Sequence, residues 1–72
     1  MPKYSIFIQY DESDNIFVAE IPELPGCMAH GDTPEQAMKE ILVAQELWLE
    51  VAAEHGDEIP EPALYAGKVW TT

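Results

Sequence analysis

A chain of 72 residues with fourteen acids, three lysines, no arginine and a net charge of -11 is a poor binder of DNA or RNA backbone, which needs clustered Lys and Arg to displace counterions. Its single cysteine, Cys27, excludes an intrachain disulfide and a multi-cysteine zinc site. One domain is the upper bound at this length, and about 60% burial of the unfolded surface leaves such a domain marginal, so self-association is the expected remedy.

The acids are spread over both halves of the chain, and Lys3, Lys39 and Lys68, the only Lys or Arg residues, cannot form such a basic patch. A basic protein partner is the electrostatically favoured one, with solubility alone as the plainer use of the charge. Met1 to Tyr4 lacks the apolar stretch of a signal peptide. The longest apolar run, Ile41 to Ala44, is far short of the ~20 residues of a spanning helix. The expectation is a cytoplasmic protein with no membrane partner.

In chain order, residues 3–10 alternate, with Tyr4, Ile6, Ile8 and Tyr10 on one face and Ser5, Phe7 and Gln9 on the other. A period of two in β-branched and aromatic residues predicts a strand. The polar cluster Asp11 to Asn15 predicts a hairpin loop, and residues 16–21 the returning strand, with Phe17, Ala19 and Ile21 sharing one face. Pro22 and Pro25 break the ladder, and residues 27–30 form a short third strand. Thr33, Pro34 and Gln36 combine an N-cap, a first-turn proline and a capping box, so a helix runs over about 34–55 and stops at Gly56. Ala37, Ile41, Ala44, Trp48 and Val51 make its core stripe, widened by Leu42 and Leu49. Val43 and Leu47 fall off that stripe beside Glu40, Glu50 and Glu54. Pro60 and Pro62 stiffen a linker, and residues 63–70 form a fourth strand that pairs either within its own subunit or with another.

The predicted fold is therefore α+β: β-β-β-α-β in a single domain spanning 1–72, one antiparallel sheet with one long helix across a face. The other sheet face stays open and apolar. Val43, Leu47, Tyr65, Val69 and Trp70 are candidates for a homo-oligomer interface, and Asp11, Glu12 and Asp14 for contact with a basic partner.

Catalytic and metal chemistry find little support. The run from Asp11 has the opening oxygens of a calcium loop, but its sixth position is Ile16 and its twelfth Pro22, where Gly and Glu are required. Cys27 and His30 are three apart, a spacing that points them to opposite faces of a strand, and His55 suits a helix C-terminus better than a metal. No basic residue lies near Cys27 in sequence to activate it. No enzyme activity, metal or cofactor is expected.

The run Phe17-Val18-Ala19-Glu20-Ile21-Pro22-Glu23-Leu24-Pro25-Gly26-Cys27, followed by His30-Gly31-Asp32-Thr33-Pro34-Glu35-Gln36-Ala37 and later Ile59-Pro60-Glu61-Pro62, resembles the HicB family of antitoxins. The resemblance spans about residues 3 to 62. It implies a β-β-β-α-β domain similar to a double-stranded-RNA-binding domain without its first helix, and a role in occluding HicA, a small basic toxin that cleaves mRNA with a histidine. Many members add a C-terminal DNA-binding segment, whereas only ten residues follow Pro62 here, with Lys68 their one basic residue, so direct operator binding is not expected. The motif residues Pro22, Leu24, Pro25, Gly26, Cys27, Gly31, Asp32, Thr33 and Ala37 are read as structural. An oligomeric scaffold or adaptor without a toxin is the alternative role.

Overall fold

The computed structural model describes residues 3–63. Three antiparallel strands are followed by one helix: β1 (Phe7–Asp11), β2 (Ile16–Glu20), β3 (Met28–Gly31) and α1 (Pro34–Glu54), with sheet order β1-β2-β3. The α+β class and the β-β-β-α order are those read from the sequence. The fourth strand expected at 63–70 lies beyond the described residues.

Each strand differs from its predicted bounds. β1 begins at Phe7 rather than residue 3, because its ladder with β2 ends at the Phe7–Glu20 pair. Ahead of it, the Ser5 amide donates to the Glu23 carboxylate instead. β2 stops at Glu20 and β3 starts at Met28, because Ile21 and Cys27 belong to the connection between them. That connection is two consecutive turns. The Leu24 amide donates to the Ile21 carbonyl at 3.0 Å and the Cys27 amide to the Leu24 carbonyl at 2.9 Å. Pro22 and Pro25 occupy the second position of each turn, where a fixed φ is an advantage. Gly26 takes the third position of the second turn with φ 81°, a left-handed conformation that a side chain disfavours.

Residues directly opposite in the ladder share a face. One face carries the rows Ile8–Ala19–Ala29 and Tyr10–Phe17–Gly31, the other Phe7–Glu20–Met28 and Gln9–Val18–His30. The first face meets α1. Its core is Tyr4, Ala19, Ile21, Leu24, Cys27, Ala37 and Ile41, with Ile6, Ile8, Phe17, Ala29, Ala44, Trp48 and Leu49 packed against it. The second face is not covered by α1, and Phe7 and Met28 stand exposed on it.

The helix begins as its cap signals dictate. Thr33 is extended, and its Oγ1 accepts from the Gln36 amide at 3.1 Å. The reciprocal bond departs from the usual capping box: Gln36 Oε1 accepts from Asp32, one residue before the cap. At the other end the Gly56 amide donates to Ala53 and the Asp57 amide to Ala52, the paired bonds of a Schellman ending. The buried stripe is rotated from the predicted one. It runs through Ala37, Ile41, Gln45 and Ala52, while Val51 is left exposed on the flank. Trp48 sits at the stripe's border because its indole Nε1 donates to the Pro25 carbonyl at 2.9 Å, turning the ring towards the second turn.

Gly31 sets how closely α1 approaches the sheet. A Cβ there would lie 2.5 Å from the Ala37 nitrogen and 2.8 Å from the Gln36 carbonyl carbon. The helix packs with its first turn directly over the end of β3, which only a glycine permits.

Candidate functional site

A trough follows the length of β3 on its outer side. Among the described strands β3 is an edge, so one wall of the trough is backbone with unused hydrogen-bonding capacity. The other wall is a flank of α1. Residues 40, 43, 47 and 51 recur at three- and four-residue spacing and so share that flank. Val43 and Leu47, the two residues off the predicted core stripe, are 60% and 61% exposed. They line the trough together with Ala44, Val51 and Met28. One stretch, near Trp48 and Cys27, encloses about 450 Å³. A second, of about 650 Å³, runs on past Gly31 to Gln36 and shares Met28, Ala44 and Leu47 with the first.

The rim is acidic. Asp32 and Glu40 line the stretch at the start of the helix and Asp57 the stretch at its end. No lysine or arginine is among the described residues lining either stretch. The hairpin acids expected to face a partner lie at the same end of the sheet as Asp32, since β1 ends, β2 begins and β3 ends there. Glu12 and Asp14 are exposed, whereas Asp11 is half-buried and its Oδ1 accepts from the Ser13 amide at 3.0 Å, which shapes the loop. Asn15 holds a left-handed φ of 54° and accepts from the Tyr10 hydroxyl. Tyr65, Val69 and Trp70, expected at the oligomer interface, lie outside the described residues.

Cys27 and His30 do not meet: the cysteine is buried in the core and the histidine exposed on the open face. Burial pushes the Cys27 thiol above its ordinary pKa, the opposite of what a nucleophile needs. Among the described residues no group of three His, Cys, Asp or Glu side chains is placed to hold a metal. None of the described helices is long and apolar enough to cross a membrane.

A polar cluster that sequence patterning did not reveal closes the sheet's other end. Glu23 Oε2 accepts from the Ser5 amide at 2.9 Å, the Ser5 hydroxyl at 3.0 Å and the Ala63 amide at 3.0 Å. Oε1 is buried and takes no hydrogen bond from the described residues. Nearby the Tyr4 hydroxyl donates to the Pro60 carbonyl. The segment after α1 is thus tied back to the residues before β1. Desolvation raises the Glu23 pKa, but the hydrogen bonds from Ala63 and Ser5 and the amide of Glu23 itself outweigh it, so the net position is below the ordinary 4.5. A depressed carboxylate contributes stability above its unfolded pKa and loses it as pH falls through the folded value. Thermal melts from pH 7 to pH 2 should therefore show Glu23→Gln less stable than wild type at neutrality and converging on it below the ordinary carboxylate value. Parallel curves would show that the Glu23 charge does not contribute to stability.

The fold and trough define a small acidic α+β domain with a groove-bearing edge. Residues 4–69 match the family described as the HicB-like antitoxin of bacterial toxin–antitoxin systems, and the chain belongs to that family. It is 44% identical over 57 residues to a UPF0150 protein of Synechocystis, covering 79% of this chain and 77% of that protein. A UPF0150 protein of Thermoplasma acidophilum is 36% identical over 58 residues, covering 81% and 83%. One from Archaeoglobus fulgidus is 39% identical over 49 residues, covering 68% and 70%. No solved structure matches the chain. Membership points to an antitoxin with a toxin partner and to a non-enzymatic role.

Proposed function

We propose that this chain is a cytoplasmic antitoxin that binds a small basic HicA-type toxin and masks its mRNA-cleaving site by steric cover. The observation that carries the reading is a net charge of -11 in a member of the HicB-like family. Opposite charge accelerates encounter with a basic protein, while the same charge opposes direct contact with nucleic acid. No chemistry is required of the antitoxin. It has only to place a complementary surface over the toxin's histidine. The test is co-expression with the HicA-type toxin of the same genome. Growth should be restored, and the purified pair should no longer cleave mRNA. Undiminished toxicity with both proteins present would reject the reading.

The exposed Val43 and Leu47 also favour a second reading, a stand-alone homo-oligomeric scaffold or adaptor with no toxin. A genome without a small basic partner, together with a stable oligomer of the isolated chain in sedimentation, would favour that role.

A further inference from the structure

We infer that the trough between β3 and α1 is the seat of the basic partner, which lays an extended segment along the edge of β3 and sinks apolar side chains against Val43, Leu47 and Val51. The inference rests on the antitoxin reading and adds the surface to it.

Three observations converge on this place. β3 is a sheet edge among the described strands, and an edge accepts an added strand through its free amides and carbonyls. Beside that edge α1 holds out Val43 and Leu47, each about three-fifths exposed, and Val51, which is 39% exposed. These side chains are anchors of the kind that dominate binding energy when a partner covers them. Acids stand at both ends, Asp32 and Glu40 at one and Asp57 at the other.

The charges choose the occupant. A second copy docked here would bring two acidic rims together, each on a chain of net charge -11. A partner segment carrying Lys or Arg between apolar residues would instead pair with Asp32, Glu40 and Asp57 while filling the apolar floor. Of the residues after α1, the described Pro60 and Ala63 are held beside the residues before β1, Pro60 by Tyr4 and Ala63 by the carboxylate that also binds Ser5.

The probe is the HicA-type toxin of the same genome with its catalytic histidine replaced by alanine, titrated calorimetrically into the full chain. Val43→Glu with Leu47→Glu should weaken binding by at least about 30-fold, the level of a lost hot spot. The double variant should keep its helical circular dichroism and melting temperature, since both side chains are exposed. Asp32→Asn with Glu40→Gln should weaken binding less and flatten its dependence on salt. Wild type that binds while the Val43/Leu47 variant binds equally well overturns the assignment of this surface and leaves the antitoxin reading intact. Wild type that fails to bind overturns both. Loss of self-association without loss of toxin affinity in the variant would show that the trough belongs to a second copy, and would also overturn the proposal.

Discussion

Gly31→Ala should lower stability by about 3 kcal/mol, at the upper end of overpacking costs, and the melting temperature by on the order of 10–20 °C. The added methyl would meet the Ala37 nitrogen at 2.5 Å and the Gln36 carbonyl carbon at 2.8 Å. Both are backbone atoms of the first helical turn, so no rotamer change relieves the clash. Either α1 lifts from β3 or β3 shifts against β2, and each movement opens contacts with the core around Ala37 and Ile41. Stability of about 0.05–0.15 kcal/mol per residue is typical, so a loss of this size is a large share of the total for so short a chain. A thermal melt followed by circular dichroism measures it. A fall of under about 2 °C would mean that the helix is not seated as closely as described.

Leu24→Ala is expected to cost 2–5 kcal/mol, the range for truncating a buried leucine. Leu24 lies in the connection between β2 and β3, yet it is fully buried and belongs to the central cluster with Ile21, Cys27 and Ile41. Its amide and carbonyl close the two turns, so the side chain fixes those turns against the core. Leu47→Ala is the matched control. Leu47 is 61% exposed, and an exposed truncation stays within about 0.5 kcal/mol. Urea titration of both variants gives the comparison. Similar midpoints for the two would contradict the burial pattern.

Much of the fold was legible because it is written in local periodicity. The alternation from Tyr4 to Tyr10 and from Ile16 to Ile21 sorts the strand residues into two faces, and Thr33, Pro34, Gln36 and Gly56 mark the ends of the helix. Val43 and Leu47 are surplus to the core stripe by spacing, and they line the trough. The parts misread depend on contacts distant in sequence. β1 starts late because Ser5 bonds Glu23, eighteen positions away. Trp48 turns towards Pro25, twenty-three positions away, so the buried stripe passes through Gln45 and Ala52 rather than Val51. Helical spacing sets Gln45 four residues after Ile41, but its polar side chain argues against burial there, and no spacing rule makes one glutamate among fourteen acids the acceptor of three hydrogen bonds. The hairpin acids were visible as a cluster, but the trough's acidic ends were not: Asp32, Glu40 and Asp57 are separate in sequence and come to one groove only when α1 folds back along β3.

The bonds from Tyr4 to Pro60 and from Ala63 to Glu23 link positions 56 and 40 apart in the chain, the longest sequence separations among the side-chain hydrogen bonds of the described residues. Closing so long a loop is entropically costly. These links are expected to form after the hairpin and helix have docked and to be the first given up in local opening, and hydrogen exchange measured residue by residue checks it. Amides of the segment after Gly56 can therefore exchange with solvent on a schedule set by this small opening, while those of β2 and the middle of α1 wait for global unfolding. Faster exchange after Gly56 than in β2 would show two tiers of durability, a helix–sheet body and a return segment that opens first.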